Sequence, residues 1–217
     1  MDITFQEVTR KLLDGFGTTC LIFFISWIIS IPLGILFCLL SLSRLKVIRK
    51  IMQVFIWIIR GTPLMLQIMV VFYVPGLLFN WPSLPRIVAA ITAIVINYAV
   101  YFSEIFRAGY QSISKGQEEA GAVLGLTRTE IFFKVLLVPI IQKIMPPMTN
   151  ETISLVKDTA LARIIAVNEV MLAADHIVGT YAIVWVLFYT AVFYLVFVGI
   201  LYLLLKFAEK KLRYFED

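Results

Sequence analysis

The sequence predicts an all-α membrane protein: one domain over residues 1–217, built as a bundle of five membrane-spanning helices. Three observations predict it. Of 217 residues, 61% are hydrophobic and only 15% charged, with a mean hydropathy of +0.93, whereas soluble domains are roughly 25% charged and about 45–50% apolar. A water-soluble chain of this length cannot bury that much apolar surface, but in a bilayer the outward faces of helices stay apolar. Second, apolar runs recur at about 18–42, 52–79, 86–106, 140–166 and 181–205, each near or above the roughly 20 residues that a spanning helix needs. Third, Lys and Arg are distributed unequally among the connections.

The residues before the first run do not read as a cleaved signal. Asp2, Glu7 and Asp14 outweigh Arg10 and Lys11, and the run exceeds the roughly 7–15 apolar residues of a signal core, so it is expected to stay in the mature chain. Cys20 and Cys38 lie in or beside it and read as small lipid-buried hydrophobes, not as a disulfide. The second run holds Arg60 and Pro63; proline removes a backbone donor, so a kinked or unwound helix is expected. In the third, Asn97, Tyr101 and Glu104 recur by four and three residues, which places them on one helical face. The fourth is the weakest, because Pro146, Pro147, Asn150, Glu151, Lys157 and Asp158 interrupt it, and a broken or cavity-lining helix is expected. Asn150, Ser154 and Lys157 or Asp158 repeat the helical spacing there, so two polar stripes can face each other across a pathway. The fifth run closes the bundle.

An odd number of spans puts the termini on opposite sides. With the N-terminus outside and the C-terminus cytoplasmic, the inner segments carry Arg44, Lys46, Arg49 and Lys50, then Arg107, Lys115, Arg128, Lys134 and Lys143, then Lys206, Lys210, Lys211 and Arg213. The outer segments carry only Arg10, Lys11, Arg86 and Arg163. Basic residues resist translocation, so this bias sets the orientation. It also accounts for the net charge of +5 without nucleic acid, since the basic residues are dispersed in loops.

The inner stretch from Ser112 to Lys143 is longer than the other connections and lacks linker composition. Ser114, with Gln117 three residues later, reads as a helix cap, and Glu118 and Glu119 stand where the helix dipole favours negative charge. Gly125 supplies a stop. Thr127 and Glu130 repeat the capping pattern and start a second short helix expected to end near Pro139. Two short helices joined at a glycine make a protrusion, and the small residues Ala120, Gly121 and Ala122 allow another surface to approach closely. The alternative is a loop packed on its own bundle.

Glu119-Ala120-Gly121, Gly125 and Val135-Leu136-Leu137-Val138-Pro139 resemble the cytoplasmic EAA loop of permease subunits of type I ATP-binding-cassette importers. Further motifs resemble the polar-amino-acid branch of that family, the histidine-, glutamine-, arginine- and cystine-type permeases. They are Arg60-Gly61-Thr62-Pro63-Leu64, Glu104-Ile105-Phe106-Arg107-Ala108-Gly109, Ile113-Ser114-Lys115-Gly116-Gln117, Asn150-Glu151 and Lys157-Asp158-Thr159-Ala160-Leu161. The resemblance covers roughly residues 15–205. It implies a coupling helix within 112–139 that docks on an ATPase subunit, with Gly116, Glu118, Glu119, Ala120, Gly121, Gly125 and Leu126 as coupling residues. The sequence departs from the pattern at Gly121, where the family has alanine, and in a segment from Gly125 to Pro139 one residue longer than usual. A glycine weakens a helix interior by about 1 kcal/mol, so a kinked or shorter coupling helix is expected.

The resemblance also implies import of a polar amino acid across a bacterial cytoplasmic membrane, with substrate contacts in the middle of the fourth span. A zwitterion needs acceptors for its ammonium and donors for its carboxylate, and Asn150, Glu151, Ser154, Tyr98 and Tyr101 can supply them. Arg60 has two readings: snorkelling to the inner surface, or binding a substrate carboxylate. Asn and Ser also join helix to helix, and Lys157 and Asp158 read as structural.

There is no G-x-x-x-x-G-K-[ST] phosphate loop, so ATP and Mg belong on a partner and no cofactor is expected on this chain. With His176 the single histidine, no metal site is expected. Five spans are too few to enclose a route, so a homodimer or a heterodimer with a related permease is expected, with two ATPase subunits, an extracytoplasmic amino-acid-binding protein and the lipid bilayer as partners. An ion-coupled carrier would show an internal repeat or ion-binding carboxylates in unwound helices. A membrane enzyme would show a histidine cluster or a nucleophile elbow.

Overall fold

The computed structural model describes residues 3–82 and 84–213. Residues 1, 2, 83 and 214–217 of the expected domain, Asp2 among them, lie outside the described part. Every described element is helical: α1 (Phe5–Ser41), α2 (Lys46–Gly61), α3 (Leu64–Phe79), α4 (Arg86–Gln111), α5 (Lys115–Val123), α6 (Arg128–Glu130), a π-turn (Ile131–Leu136), α7 (Leu137–Asp158), a 3-10 stretch (Thr159–Ile165), α8 (Val170–Tyr181) and α9 (Trp185–Arg213). By length and composition, four helical segments can cross a membrane, or five if the bent pair α2–α3 counts as one span.

Thr4 and Glu7 start α1 by reciprocal capping: the Thr4 hydroxyl accepts from the Glu7 N–H at 3.3 Å and the Glu7 carboxylate accepts from the Thr4 N–H at 3.0 Å. The helix therefore begins well before the apolar run. Its early residues Val8 and Leu12 are buried against Val170, Ala174 and Ile177 of α8. Further along, α1 and α4 form the central pair, made close by small residues. The Ser30 hydroxyl donates to the Val95 carbonyl at 3.2 Å, and a Cβ at Gly34 would meet the Phe102 Cβ at 2.9 Å. The main core gathers Ile22, Phe23, Ile94, Tyr98, Phe102, Leu155 and Ile165 around this pair. Phe188, Leu195, Val196, Leu203 and Phe207 of α9 stay exposed, as a lipid-facing surface requires.

The structure decides between alternatives in two of the runs. The run 52–79 is unwound at Pro63 into two helices bent by 106°, with α2 starting earlier, in the basic cluster at Lys46. Pro63 disfavours helical geometry at the residue before it, and Thr62 and Pro63 are both extended. The carbonyls freed at the break are taken by Gln67, whose amide donates to Ile59 O at 2.8 Å and Thr62 O at 3.2 Å. The fourth run, by contrast, does not break at Pro146-Pro147. Helix α7 runs through both prolines, and the irregular turns flank it instead, at Ile131–Leu136 and Thr159–Ile165. For the same reason the second short helix does not end near Pro139 but continues into α7.

Helix α8 has no counterpart among the predicted spans. It is nucleated by Glu169, fully buried, whose carboxylate accepts from the Met171 N–H at 2.9 Å and the Leu172 N–H at 2.7 Å.

Candidate functional site

Two adjoining cavities open between α2, α4 and α7. One, of about 490 Å³, is lined by Ser41, Gln53, Ile56, Trp57, Arg60, Gly61, Tyr101, Glu104 and Arg107. The other, of about 520 Å³, is lined by Arg60, Tyr101, Glu104, Ile105, Arg107, Ala108, Gly109, Ser112, Lys143, Pro147 and Glu151. Their shared wall is the charged group Arg60, Tyr101, Glu104 and Arg107. Glu104 accepts from Arg107 Nε at 2.9 Å and Nη2 at 2.7 Å, and from Arg60 Nη1 at 3.4 Å. The Arg60 guanidinium also lies over the Tyr101 ring, 5.6 Å from its centroid. Arg107 thus neutralises Glu104 in a two-bond fork. Arg60, at the longer distance and half-exposed, keeps donors free for a ligand.

Of the residues singled out in the sequence, Arg60, Tyr101 and Glu151 line these cavities. Tyr98 lies behind them: it is 2% exposed, and its hydroxyl donates to Asp158 Oδ2 at 2.7 Å. Asn150 is exposed and Ser154 half-buried, and neither is among the lining residues. The stripe Asn97, Tyr101, Glu104 divides, because Asn97 is buried and donates to Gln67 Oε1 at 3.0 Å, bracing the α2–α3 break. Gln53, Trp57 and Lys143 are not among the candidate residues that the sequence offered, and Arg107 entered only within the Glu104–Gly109 motif. The recurrence of Gln53, Trp57 and Arg60 by four and three residues carried that signal for two of them.

In the protruding loop, the Ser114 hydroxyl caps α5 by accepting from the Gly116 N–H at 3.1 Å, without a reciprocal bond from Gln117. Thr127 and Glu130 form the full capping box. Gly125 takes φ +76°, a left-handed conformation that glycine adopts without strain, and the Leu126 N–H donates back to Gly121 O at 3.2 Å. Gly116, Glu118, Glu119 and Ala120 are exposed, and Val123 and Leu124 project further, at 87% and 78% exposure. Gly121 is different. It is buried, and a Cβ there would come within 2.8 Å of Ile131 Cγ1, so it meets its own chain and not an approaching surface. Leu126 packs on the cluster of Ile131, Leu136 and Ile140.

Among the described residues no three His, Cys, Asp or Glu side chains gather where a metal could bind. Cys20 and Cys38 are free thiols.

Residues 30–214 match the family of binding-protein-dependent transport system inner membrane components. The chain belongs to this family. It is the membrane-spanning permease subunit of an ATP-binding-cassette importer. The permease is 34% identical to the arginine transport system permease protein ArtQ of Bacillus subtilis, over 93% of this chain and 92% of that protein. It is 35% identical to the L-cystine transport system permease protein TcyB of Bacillus subtilis, over 81% of this chain and 74% of the relative. The glutamine transport system permease protein GlnP of Escherichia coli is also 35% identical, over 74% of each chain. Among solved structures, an amino acid ABC transporter crystallised with histidines superposes with a TM-score of 0.86 at 28% identity, covering 97% of the permease and all of that chain. The MetNI methionine transporter shares the fold, with a TM-score of 0.71 at 18% identity over 94% of this chain and 95% of that one.

Proposed function

We propose that the permease carries a polar amino acid inward across the bacterial cytoplasmic membrane. An extracytoplasmic binding protein delivers the substrate, and two ATPase subunits holding ATP and Mg supply the energy. The N-terminus lies outside and the C-terminus in the cytoplasm, in line with the basic residues of the inner segments. Two permeases, identical or related, pair about an axis along the membrane normal. Their coupling surface is the exposed side of α5, with Glu118, Glu119, Ala120 and the apolar tip Val123-Leu124.

One observation carries the substrate reading: a cavity wall in which Arg60, Tyr101 and Glu151 stand together. An amino acid carries an ammonium and a carboxylate on one carbon. Glu151 offers an acceptor for the first, Arg60 donors for the second, and Tyr101 an aromatic face. Arg107 is occupied with Glu104, so the paired charges shape the wall while Arg60 and Glu151 do the recognising. Amino acids with side chains of different charge share this core requirement.

The test is uptake of a panel of labelled amino acids by proteoliposomes holding the complete assembly. A hydrogen bond to a charged group contributes about 1.5–3 kcal/mol, so Glu151→Gln should weaken uptake of the preferred substrate by roughly ten-fold or more. Unaltered uptake and selectivity in Glu151→Gln would move the pocket elsewhere.

A further inference from the structure

Helix α2 is divided lengthwise into three sectors. Successive residues of a helix are turned by about 100°, which groups Met52 and Ile56 on the bundle side, buried against Val100, Phe37 and Leu40. A second sector holds Val47, Ile51, Val54 and Ile58, 71%, 65%, 47% and 48% exposed. The third holds Lys46, Arg49, Lys50, Gln53, Trp57 and Arg60, whose last three members line the cavity. Arg44 stands just before the helix. The 106° bend to α3 keeps α2 from being the inner half of a straight span, and the helix reaches the cavity at Arg60.

Among the described residues the basic end of this helix has no ion-pair partner. The sequence holds no Asp or Glu between Asp14 and Glu104, and the ion pairs of the described residues involve none of Arg44, Lys46, Arg49 and Lys50. All four are exposed. An amphipathic helix with a basic polar face and large apolar residues on the adjoining face is suited to the boundary between headgroups and acyl chains. Basic clusters on such a helix, on the cytoplasmic side, recognise anionic headgroups.

We propose that α2 is an anionic-phospholipid site, with Arg44, Lys46, Arg49 and Lys50 holding the headgroup phosphate and Val47, Ile51, Val54 and Ile58 lying along the acyl chains. The placement at the inner leaflet rests on the orientation given above. Two other occupants fit less well. A soluble ATPase subunit would have to cover four large aliphatic side chains, and a second copy of this chain would set one basic stripe against another. Because the same helix ends at Trp57 and Arg60, lipid bound at its start steadies one wall of the cavity.

The experiment uses the permease co-purified with its ATPase subunits from membranes of phosphatidylcholine mixed equally with phosphatidylglycerol, with retained lipid read by mass spectrometry. The wild type should retain phosphatidylglycerol preferentially. The combined variant Lys46→Gln, Arg49→Gln, Lys50→Gln should lose that preference by up to roughly a hundred-fold, since each basic residue contributes an attraction of about five-fold. Should that variant fail to assemble, the three single variants read the same loss in smaller steps. Removing an equal charge elsewhere on the inner side, by Lys206→Gln, Lys210→Gln and Lys211→Gln, should leave the preference intact.

An equal loss in this second variant would reduce the effect to bulk surface charge and overturn the site, as would undiminished retention in the first. Displacement of the lipid by soluble glycerol phosphate would assign the site to a free phosphate and overturn the lipid reading. Cross-linking of two protomers through Ile51→Cys would assign the face to a second permease. A failed amino acid uptake assay would leave this binding result standing, because lipid retention is read without transport.

Discussion

Gly121 and Glu169 are single residues whose surroundings set their roles. At Gly121 the space for a side chain is taken by Ile131, so Gly121→Val overpacks the joint between α5 and the π-turn. A cost of about 1–3 kcal/mol follows, measured as a lower thermal midpoint of the purified assembly. Ala120→Val, on the exposed side of the same helix, should leave the midpoint unchanged. Glu169 lies in the connection between the fourth and fifth predicted spans. Burial pushes its carboxyl up to about 7, against the pull of the Met171 and Leu172 N–H groups and the Tyr194 hydroxyl. A folded value raised above the unfolded one, about 4.3, means that the folded state binds the proton more tightly. This contribution to stability is fully present below about pH 4.3 and is lost as pH rises through about 7. Across that window the wild type should lose thermal stability with rising pH, and Glu169→Gln should flatten the profile; identical profiles would show that Glu169 does not carry it.

At the scale of elements, the α2–α3 break ends α2 just past Arg60, which meets Glu104 at 3.4 Å in the cavity wall. It is held by two side chains: the Thr62 hydroxyl donates to Ile58 O, and Gln67 donates to Ile59 O, Thr62 O and the Thr62 hydroxyl and accepts from buried Asn97. Gln67→Leu strips the Gln67 bonds and leaves Asn97 buried and unpaired, at a cost of about 1–3 kcal/mol. The double variant Gln67→Leu, Asn97→Leu should cost less than the sum of the two single variants, because removing both partners leaves no orphan. Additive costs in a thermal-unfolding cycle would show that the two side chains act independently. The prolines of α7 act differently. Pro146-Pro147 sit inside a helix that continues past them, and the chain departs from α geometry in the π and 3-10 turns on either side.

For the molecule as a whole, the exposed faces match the environments that the family's work requires. Apolar side chains of α9 face outward, charged ones meet in the cavities, and α5 projects with an acidic and apolar tip. With Cys20 and Cys38 replaced, a cysteine at position 119 should react with a membrane-impermeant thiol reagent in inside-out vesicles and not in right-side-out ones. The opposite pattern would reverse the proposed orientation and remove the coupling role proposed for α5.

Membrane class, the all-helical fold, and the capping of the loop helices by Ser114 and Thr127 were legible in the sequence. Composition and contacts within a few residues determine them. Arg60, Tyr101 and Glu151 were legible as candidates because a charge or polar group inside an apolar run is costly wherever the run folds, and the structure places all three along one cavity wall. What only the tertiary structure decided are the partners that chain order separates widely: Tyr98 with Asp158, Asn97 with Gln67, Arg60 with Glu104, and Glu169 with Tyr194. A side chain's spacing along a helix states which face it occupies, but not what stands opposite. That is why Tyr98 is withdrawn behind the cavity, Gly121 turns inward, and the second apolar run folds into two helices bent by 106°.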